Sequence, residues 1–368
     1  MNWPDNPIFT LLSRFHLSFY HLRPQHPFIS VIVPCRNEED YIANVIRDIY
    51  GQTYPSELME VFIIDGESND ATAEIVKSLI SEFPGLTLLS NPKKIVPTAL
   101  NIGIKAAKGE VIVRMDAHCE YPKNYIAYLV ENLFAMKADN VGVAMIAHSR
   151  SNSLRAVAIA AAISCKFGIG DSYHRTGLSK AIEIDSVPFG CYPRAVFEKY
   201  GLFDEELIRN QDDEFNARIV SRGGHIWLLP DIEIKYFARD SFSKIFRMFY
   251  YYGFFKPLVN KKVGKAATLR QFVPPAFVLS ILIGLCLMSF SKLIGGVFLA
   301  LVLAPYLLIN IIFSIKLAVK EGRFFMFFLL LFTFLGIHIS YGTGYIGGFV
   351  RFIIRKKGVG FKDLSTNR

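Results

Sequence analysis

Three short polar clusters each follow a β-branched run in the first third of the chain. Cys35, Arg36, Asn37 and Glu38 follow VIVP; Asp65, Gly66, Glu67, Ser68, Asn69 and Asp70 follow VFII; Asp116, Ala117 and His118 follow VIVRM. Asp, Asn and Gly are ordinary turn and helix-cap residues, so each cluster alone has a structural explanation, with Ser68 or Asp70 opening a helix. Three of them at strand ends imply one polar pocket rich in carboxylates, which suits a metal cation or a hydroxyl-rich ligand. Asp116 and His118 form the most specific pair. Residues i and i+2 of an extended segment share a face, so a carboxylate and an imidazole can be aimed at one point. A divalent ion there would neutralise phosphate charge; a histidine hydrogen-bonded to nearby backbone is the plainer alternative.

A second acidic group, Asp212, Asp213 and Glu214, opens a stretch in which Phe215 and Ile219 recur at helical spacing. Carboxylates in a first helical turn are favoured by the helix dipole. A carboxylate at a pocket edge is also a suitable base for taking a proton from a hydroxyl, and the two roles are compatible. Further on, RDSFSKIFRMFYYYGFFKPLVNKK interleaves basic and aromatic residues, the pattern of an interfacial helix whose rings sit at headgroup depth. Arg247, Tyr252 and Lys256 in it could close over a phosphorylated substrate.

The elements that must position these residues alternate from Phe28 onward. FISVIVP, MEVFIID, LTLLS and EVIVRMD read as strands, separated by amphipathic stretches such as YIANVIRDIYGQ and ATAEIVKSLISEF. This predicts a doubly wound α/β domain over residues 28–238, a parallel sheet with helices on both faces. The polar clusters then sit where ligands bind, at the carboxyl ends of the strands. No GxGxxG follows the first strand and no GxxxxGK[ST] occurs, so neither dinucleotide nor phosphate-loop binding is expected.

Three nearly charge-free stretches, about 272–290, 293–315 and 324–350, are long enough to cross about 30 Å of hydrocarbon. They make residues 271–350 a membrane region, preceded by a basic-aromatic segment at 239–270 and followed by a basic tail at 351–368. The loop 316–323, with three basic residues and one acidic, is expected on the cytoplasmic side. A third full crossing would put the basic tail outside, so the glycine-rich GIHISYGTGYIGG is expected to bend, re-enter or lie along the interface. Residues 1–27 read as a short interfacial helix or a flexible leader.

Charge follows the same division. Residues 1–234 carry 22 Lys and Arg against 29 Asp and Glu, residues 235–270 nine against one, and residues 271–368 ten against two. The net charge of +9 therefore belongs to the C-terminal third, beside apolar runs, which fits anionic headgroups and argues against nucleic acid. Five cysteines without a CxxC pair argue against a disulfide framework or zinc knuckle and fit a reducing compartment. No basic segment followed by a long apolar run opens the chain, so a cleaved secretory signal is not expected.

Taken in order, these motifs resemble the family 2 glycosyltransferases of GT-A fold, a Rossmann-like α/β domain, here followed by C-terminal transmembrane helices. Within them the chain is similar to the succinoglycan-type exopolysaccharide glucosyltransferases. VIVPCRNEE resembles the first nucleotide-binding strand, DGESNDAT the D-G-x-S-x-D-x-T turn, NIGIKAAKGEVIVRMDAH the run to the D-x-D position, and GLFDEELIRNQDDEFNARI the G-x-F-D-E and E-D segments. The resemblance implies that Pro34, Arg36 and Glu38 line the nucleoside pocket, that Asp65 contacts the base, and that Asp116 faces ribose and diphosphate. It puts His118 at the second metal-ligating position, Asp212 at the catalytic base and Gly190 in the acceptor-side loop. Histidine at 118 shifts metal preference toward Mn²⁺ over Mg²⁺, and Gln211 stands where the family has the Glu of the E-D pair. The implied activity is inverting transfer of a hexose from a nucleotide-sugar, UDP-glucose, to a lipid-linked oligosaccharide at the inner face of a bacterial membrane, with the catalytic domain in the cytoplasm. The alternatives are a polyprenyl-phosphate hexose synthase, a sugar-nucleotide-binding scaffold without turnover, and a transporter subunit; the last is disfavoured because only His338 is ionisable within the apolar segments.

Overall fold

The computed structural model describes residues 26–170, 178–266 and 268–360, so most of the expected N-terminal leader and the end of the basic tail lie outside the described residues. The strands form one sheet in the order β3-β2-β1-β4-β8-β6-β9-β5, with β7 beside β9. Strands β1 (Ile29–Cys35), β2 (Met59–Asp65), β3 (Leu86–Ser90) and β4 (Val111–Arg114) pair in parallel. The near-continuous burial of β1, β2 and β4 requires cover on both faces. Helices α1 (Ile42–Tyr50), α2 (Thr72–Leu79) and α3 (Val96–Ala106) connect them, α1 burying Ile42, Val45, Ile46 and Ile49 at helical spacing.

Beyond β4 the sheet departs from the expected parallel pattern. After β5 (Cys119–Glu120), α4 (Tyr125–Ala135), β6 (Asn140–His148), α5 (Leu154–Ile163), α6 (Lys166–Ile169) and β7 (Ile182–Glu183), the short strand β8 (Cys191–Pro193) enters antiparallel between β4 and β6. Strand β9 (Ile226–Phe237) then pairs parallel with β6 and antiparallel with β5 and β7. The reversal has a local consequence. Because β8 runs against β4, the segment leading into β8 meets the carboxyl end of β4, and Arg114 N–H donates to Gly190 O at 3.1 Å. A parallel neighbour would have put the opposite strand end there.

Helix α7 (Ala195–Tyr200) and helix α8 (Gln211–Ser221) complete the α/β half. Helix α9 (Phe242–Val263) is the basic-aromatic segment, but its rings are not spread along a surface. Phe249, Phe254 and Phe255 are buried, the last two clustered with Ile95, Leu207 and Ile208 of the α/β half. Burying that aromatic area stabilises the contact between the two halves.

Helices α10 (Val273–Phe290), α11 (Lys292–Lys320) and α12 (Met326–Gly348) supply three candidate spans by length and composition. Only Ser291 separates α10 from α11, and its hydroxyl accepts from Ile294 N–H to cap the second helix. Both present large apolar side chains outward, Phe290 of α10 at 83% and Leu301 of α11 at 71% exposure, which marks them for a lipid environment. The glycine-rich stretch does not bend: α12 is continuous through Gly348 and runs on into a π-helical turn, Phe349–Ile354. Its glycines are a packing face instead. A Cβ at Gly336 would strike the Phe246 ring, and one at Gly344 or Gly348 the carbonyl oxygens of Tyr250 or Phe254. Small residues here let α9 and α12 approach backbone to backbone, as between membrane helices. Both ends of α12 also meet the α/β half or its linker: Arg323 donates to Asn152 O at 2.9 Å, and Phe352 packs on Phe254 and Phe255.

Candidate functional site

The loops after β1 and β2 are laced together. Cys35 and Asp65 are register partners, so both loops leave the sheet side by side. Asn37 N–H donates to Ser68 Oγ (2.8 Å), Asn69 N–H to Asn37 Oδ1 (2.9 Å), Glu38 N–H to Thr72 Oγ1 (2.7 Å) and Ala71 N–H to Glu39 Oε2 (3.0 Å). Asn37 and Glu67 take left-handed backbone (φ 55° and 51°), which bends the two loops toward each other. Asp65 spends its carboxylate inside this lacing, accepting from Ser68 N–H and Oγ, and does not line the main cavity. Asp70 accepts from Thr72 N–H and Oγ1; burial lifts its pKa, but these bonds hold it below the usual carboxylate range. Pro34, Arg36 and Glu38 do line the cavity. The absence of a side chain on Gly66 lets Arg36 lie across the end of β2, where Arg36 Nε is buried with no hydrogen-bond acceptor among the described residues. Such a donor is an open place for a ligand oxygen.

The centre of the site is Arg114, a residue that its apolar strand hides. Its side chain is 7% exposed, and it holds two carboxylates at once. Nε and Nη2 donate to Asp116 at 3.0 and 3.3 Å, while Nη1 donates to both oxygens of Asp212 at 2.6 and 2.8 Å. The guanidinium also lies 5.3 Å from the Phe189 ring centroid. One cation between two acids leaves a net negative charge. Burial accordingly lifts the Asp212 carboxyl above the usual range, Arg114 pulling against it and Asp116 adding to it. Asp212 keeps 26% of its side chain exposed, enough to meet a substrate. Backbone around Asp116 is pinned by Tyr121, whose hydroxyl accepts from Asp116 N–H at 2.6 Å.

His118 lines the same cavity, with Nδ1 3.4 Å from Glu38 Oε1. Burial holds it below the usual histidine range, so the imidazole is neutral at pH 7, the form that binds metals. Among the described residues no group of three or more His, Cys, Asp or Glu is arranged to hold an ion. An ion held by Asp116 and His118 alone would have to take its remaining ligands from substrate phosphates, and both Asp116 oxygens already accept from Arg114.

The other residues separate into anchors and bystanders. Asp213, next to Asp212, is held by Lys256 of α9 at 2.6 Å, and Asn210 Nδ2 donates to Tyr252 O at 2.9 Å. These two contacts fix the start of α8 on α9. Phe189 and Gly190 both have positive φ (61° and 55°), and a Cβ at Gly190 would collide with the Tyr192 ring. A bulky residue in that backbone region is held only by its surroundings, and Phe189 faces the cavity. Arg247 is exposed and does not line the cavity, so it takes no part in this grouping. The cavity itself, about 770 Å³, runs from the strand-end loops past Asp116 and Asp212 to Phe277, Tyr306 and Ile337 on α10, α11 and α12.

Arg114, Arg209 and Arg239 are cavity residues that motif reading passed over. An arginine closing an otherwise apolar strand is a signal for the first, since such a residue is buried only when paired. The other two give no sequence signal beyond flanking the acidic turn and the basic-aromatic segment.

Residues 30–201 match the family described as Glycosyl transferase family 2. The chain is 32% identical over 248 residues to the succinoglycan biosynthesis protein ExoA of Rhizobium meliloti, an alignment covering 67% of this chain and 74% of that protein. It is 28% identical over 334 residues, 88% of this chain and 98% of the relative, to a dolichyl N-acetyl-α-D-glucosaminyl phosphate 3-β-D-2,3-diacetamido-2,3-dideoxy-β-D-glucuronosyltransferase of Methanococcus voltae. A mannosyltransferase of Pyrobaculum calidifontis, solved with GDP-Man and Mn²⁺, shares the fold at a TM-score of 0.55 and 17% identity, over 92% of this chain and 94% of that one. With its GT-A-like mixed sheet, laced strand-end loops and these relatives, the chain belongs to glycosyl transferase family 2.

Proposed function

We propose that the chain is a membrane-anchored inverting glycosyltransferase that moves a hexose, glucose from UDP-glucose, to a lipid-linked oligosaccharide at the inner face of a bacterial membrane. Asp212 takes the proton of the acceptor hydroxyl as that oxygen bonds to the anomeric carbon. The bond from that carbon to the diphosphate oxygen breaks, and the electron pair leaves with UDP. Pro34, Arg36 and Glu38 hold the nucleoside, Asp65 keeps their loop in shape, and Asp116 faces the diphosphate. Asp116 and His118 would hold a divalent ion, Mn²⁺ or Mg²⁺, which supplies positive charge to the leaving diphosphate. Gly190 and Phe189 border the acceptor side.

One observation carries this reading: a single cavity joins the polar strand-end loops, the Arg114-bound Asp212 and the apolar helices. The relative from Methanococcus, whose name gives a dolichyl-phosphate-linked acceptor, supports a lipid carrier. The contacts of Arg323 with Asn152 and of Phe352 with α9 support a reading in which α10 and α11 form a membrane hairpin, which would leave the loop 316–323 and the basic residues 351–357 on one face, in keeping with the positive-inside tendency.

Arg114 favours a second reading. Its Nη1 already occupies both oxygens of Asp212, and a polyprenyl-phosphate acceptor needs no base. Purified full-length protein, Mn²⁺ and membrane lipid extract, screened with nucleotide-sugars for release of the nucleoside diphosphate, test both. Release with UDP-glucose and a lipid-linked oligosaccharide supports the first; release only with a lipid phosphate, unchanged in Asp212→Asn, supports the second.

A further inference from the structure

Two arginines of the cavity stand apart from the groups used above. Arg209 lies two positions before α8 and Arg239 three before α9, so both sit at the junction between the α/β half and the apolar helices. Both line the cavity and both are half-buried. Arg114 is neutralised by two carboxylates, yet among the described residues neither Arg209 nor Arg239 has a carboxylate within 4.0 Å. Burial first, with the like charge of Arg239 adding to it and Tyr252, Tyr236 and Asp116 opposing it, pulls Arg209 below the usual arginine range. Two partly desolvated guanidiniums facing one space are costly without an anion. Between the apolar helices the lining is mostly apolar: Phe277 of α10, Tyr306 and Ile309 of α11, and Ile337 and Tyr341 of α12 form an arm, with His338 bonded to Tyr306 and Arg270 near Tyr341 as its polar members.

We propose that Arg209 and Arg239 seat the phosphate of a long-chain lipid phosphate or diphosphate, and that the apolar arm between α10, α11 and α12 takes the first units of its chain. The occupant follows from the order of the lining. A cationic pair followed by an apolar slot complements a molecule with a phosphate at one end of a hydrocarbon chain, and planar guanidiniums suit phosphate oxygens. The donor's diphosphate has partners of its own in Arg36, Asp116 and His118, although Arg209 and Arg239 lie close enough to act electrostatically on Asp116 and His118. Seated this way, the lipid presents its sugar or its phosphate oxygen toward Asp212. The inference rests on the glycosyl-transfer reading for its purpose but not for its test.

The test is direct binding to full-length protein in phosphatidylcholine nanodiscs, titrated with farnesyl phosphate, farnesol, inorganic phosphate and UDP-glucose. Farnesyl phosphate should bind at least tenfold more tightly than farnesol or inorganic phosphate. Arg209→Gln and Arg239→Gln should each weaken it by about 10- to 100-fold, the worth of a hydrogen bond to a charged group. UDP-glucose affinity should stay within twofold, which also reports that the variants fold. Ile309→Trp should weaken farnesyl phosphate and leave inorganic phosphate unchanged. Loss of UDP-glucose binding with farnesyl phosphate unaffected would assign the pair to the donor and overturn the proposal, as would equal affinity for farnesyl phosphate and farnesol. Farnesyl phosphate binding without sugar transfer to any lipid would leave the site standing and remove the transferase reading instead.

Discussion

At the β1 and β2 end of the cavity the loop side chains are spent on one another, whereas at the junction with the apolar helices Arg209 and Arg239 face the cavity with no carboxylate within 4.0 Å among the described residues. Asn37, Ser68, Asp70 and Thr72 close a set of mutual hydrogen bonds that fixes two loops before any ligand arrives. Arg209 and Arg239 have no such closure among the described residues, and the walls beside them are apolar side chains on helices. The first arrangement is rigid and suits a ligand whose shape does not vary, a nucleotide. The second tolerates a long chain of variable length. Arg114 stands between them and ties Asp116 of one end to Asp212 of the other.

Breaking that tie should have the largest effect. Arg114→Gln leaves two carboxylates partly buried and unpaired, and an expected loss of about 3 to 5 kcal/mol is readable as a lowered denaturation midpoint; an unchanged midpoint would mean the two ends are held together by other contacts. Next comes the packing that joins the halves. Gly344→Leu pushes α12 off the Tyr250 carbonyl, with an expected cost of about 1 to 3 kcal/mol, and stability equal to the parent protein would show that α9 and α12 do not approach as described. Smaller still is Ser68→Ala, which frees Asp65 and the Asn37 amide. About 1 kcal/mol is expected, together with weaker nucleotide-sugar binding and unaltered lipid binding in the same titrations; equal weakening of both would erase the distinction between the ends. The pH profile sharpens the comparison. Asp212 must be ionised to accept a proton, and its folded pKa is raised, so the transfer rate should fall as pH drops through a midpoint above the ordinary carboxylate value of about 3.9. An acid limb that is the same in Asp212→Asn would assign it to another group.

How much of this was legible in the sequence depends on the distance over which each feature is decided. The parallel strands and their polar ends are local patterns, and the loops carrying Pro34, Arg36, Glu38 and Asp116 are where alternation and turn chemistry put them. The antiparallel β8 is three residues long and carries no periodicity of its own. The partnership of Arg114 with Asp212 spans 98 positions and cannot be read from either neighbourhood. The glycines of α12 illustrate the same point: they read as a break because glycine weakens an isolated helix, and they stay helical because α9 packs into the space they leave. Arg247 shows the reverse, a basic residue in a suggestive pattern that the helix turns to the outside.

The central claim is that one cavity brings a nucleotide-sugar, a lipid-borne acceptor and the Asp212 carboxylate together. Single-turnover transfer of labelled glucose from UDP-glucose to a lipid-linked oligosaccharide, with donor affinity measured in the same samples, tests it most directly in Asp212→Asn. Transfer should fall by about 100-fold or more, the usual contribution of a positioned base, with donor affinity within twofold. Transfer at the parent rate, or donor binding lost along with it, would contradict the account.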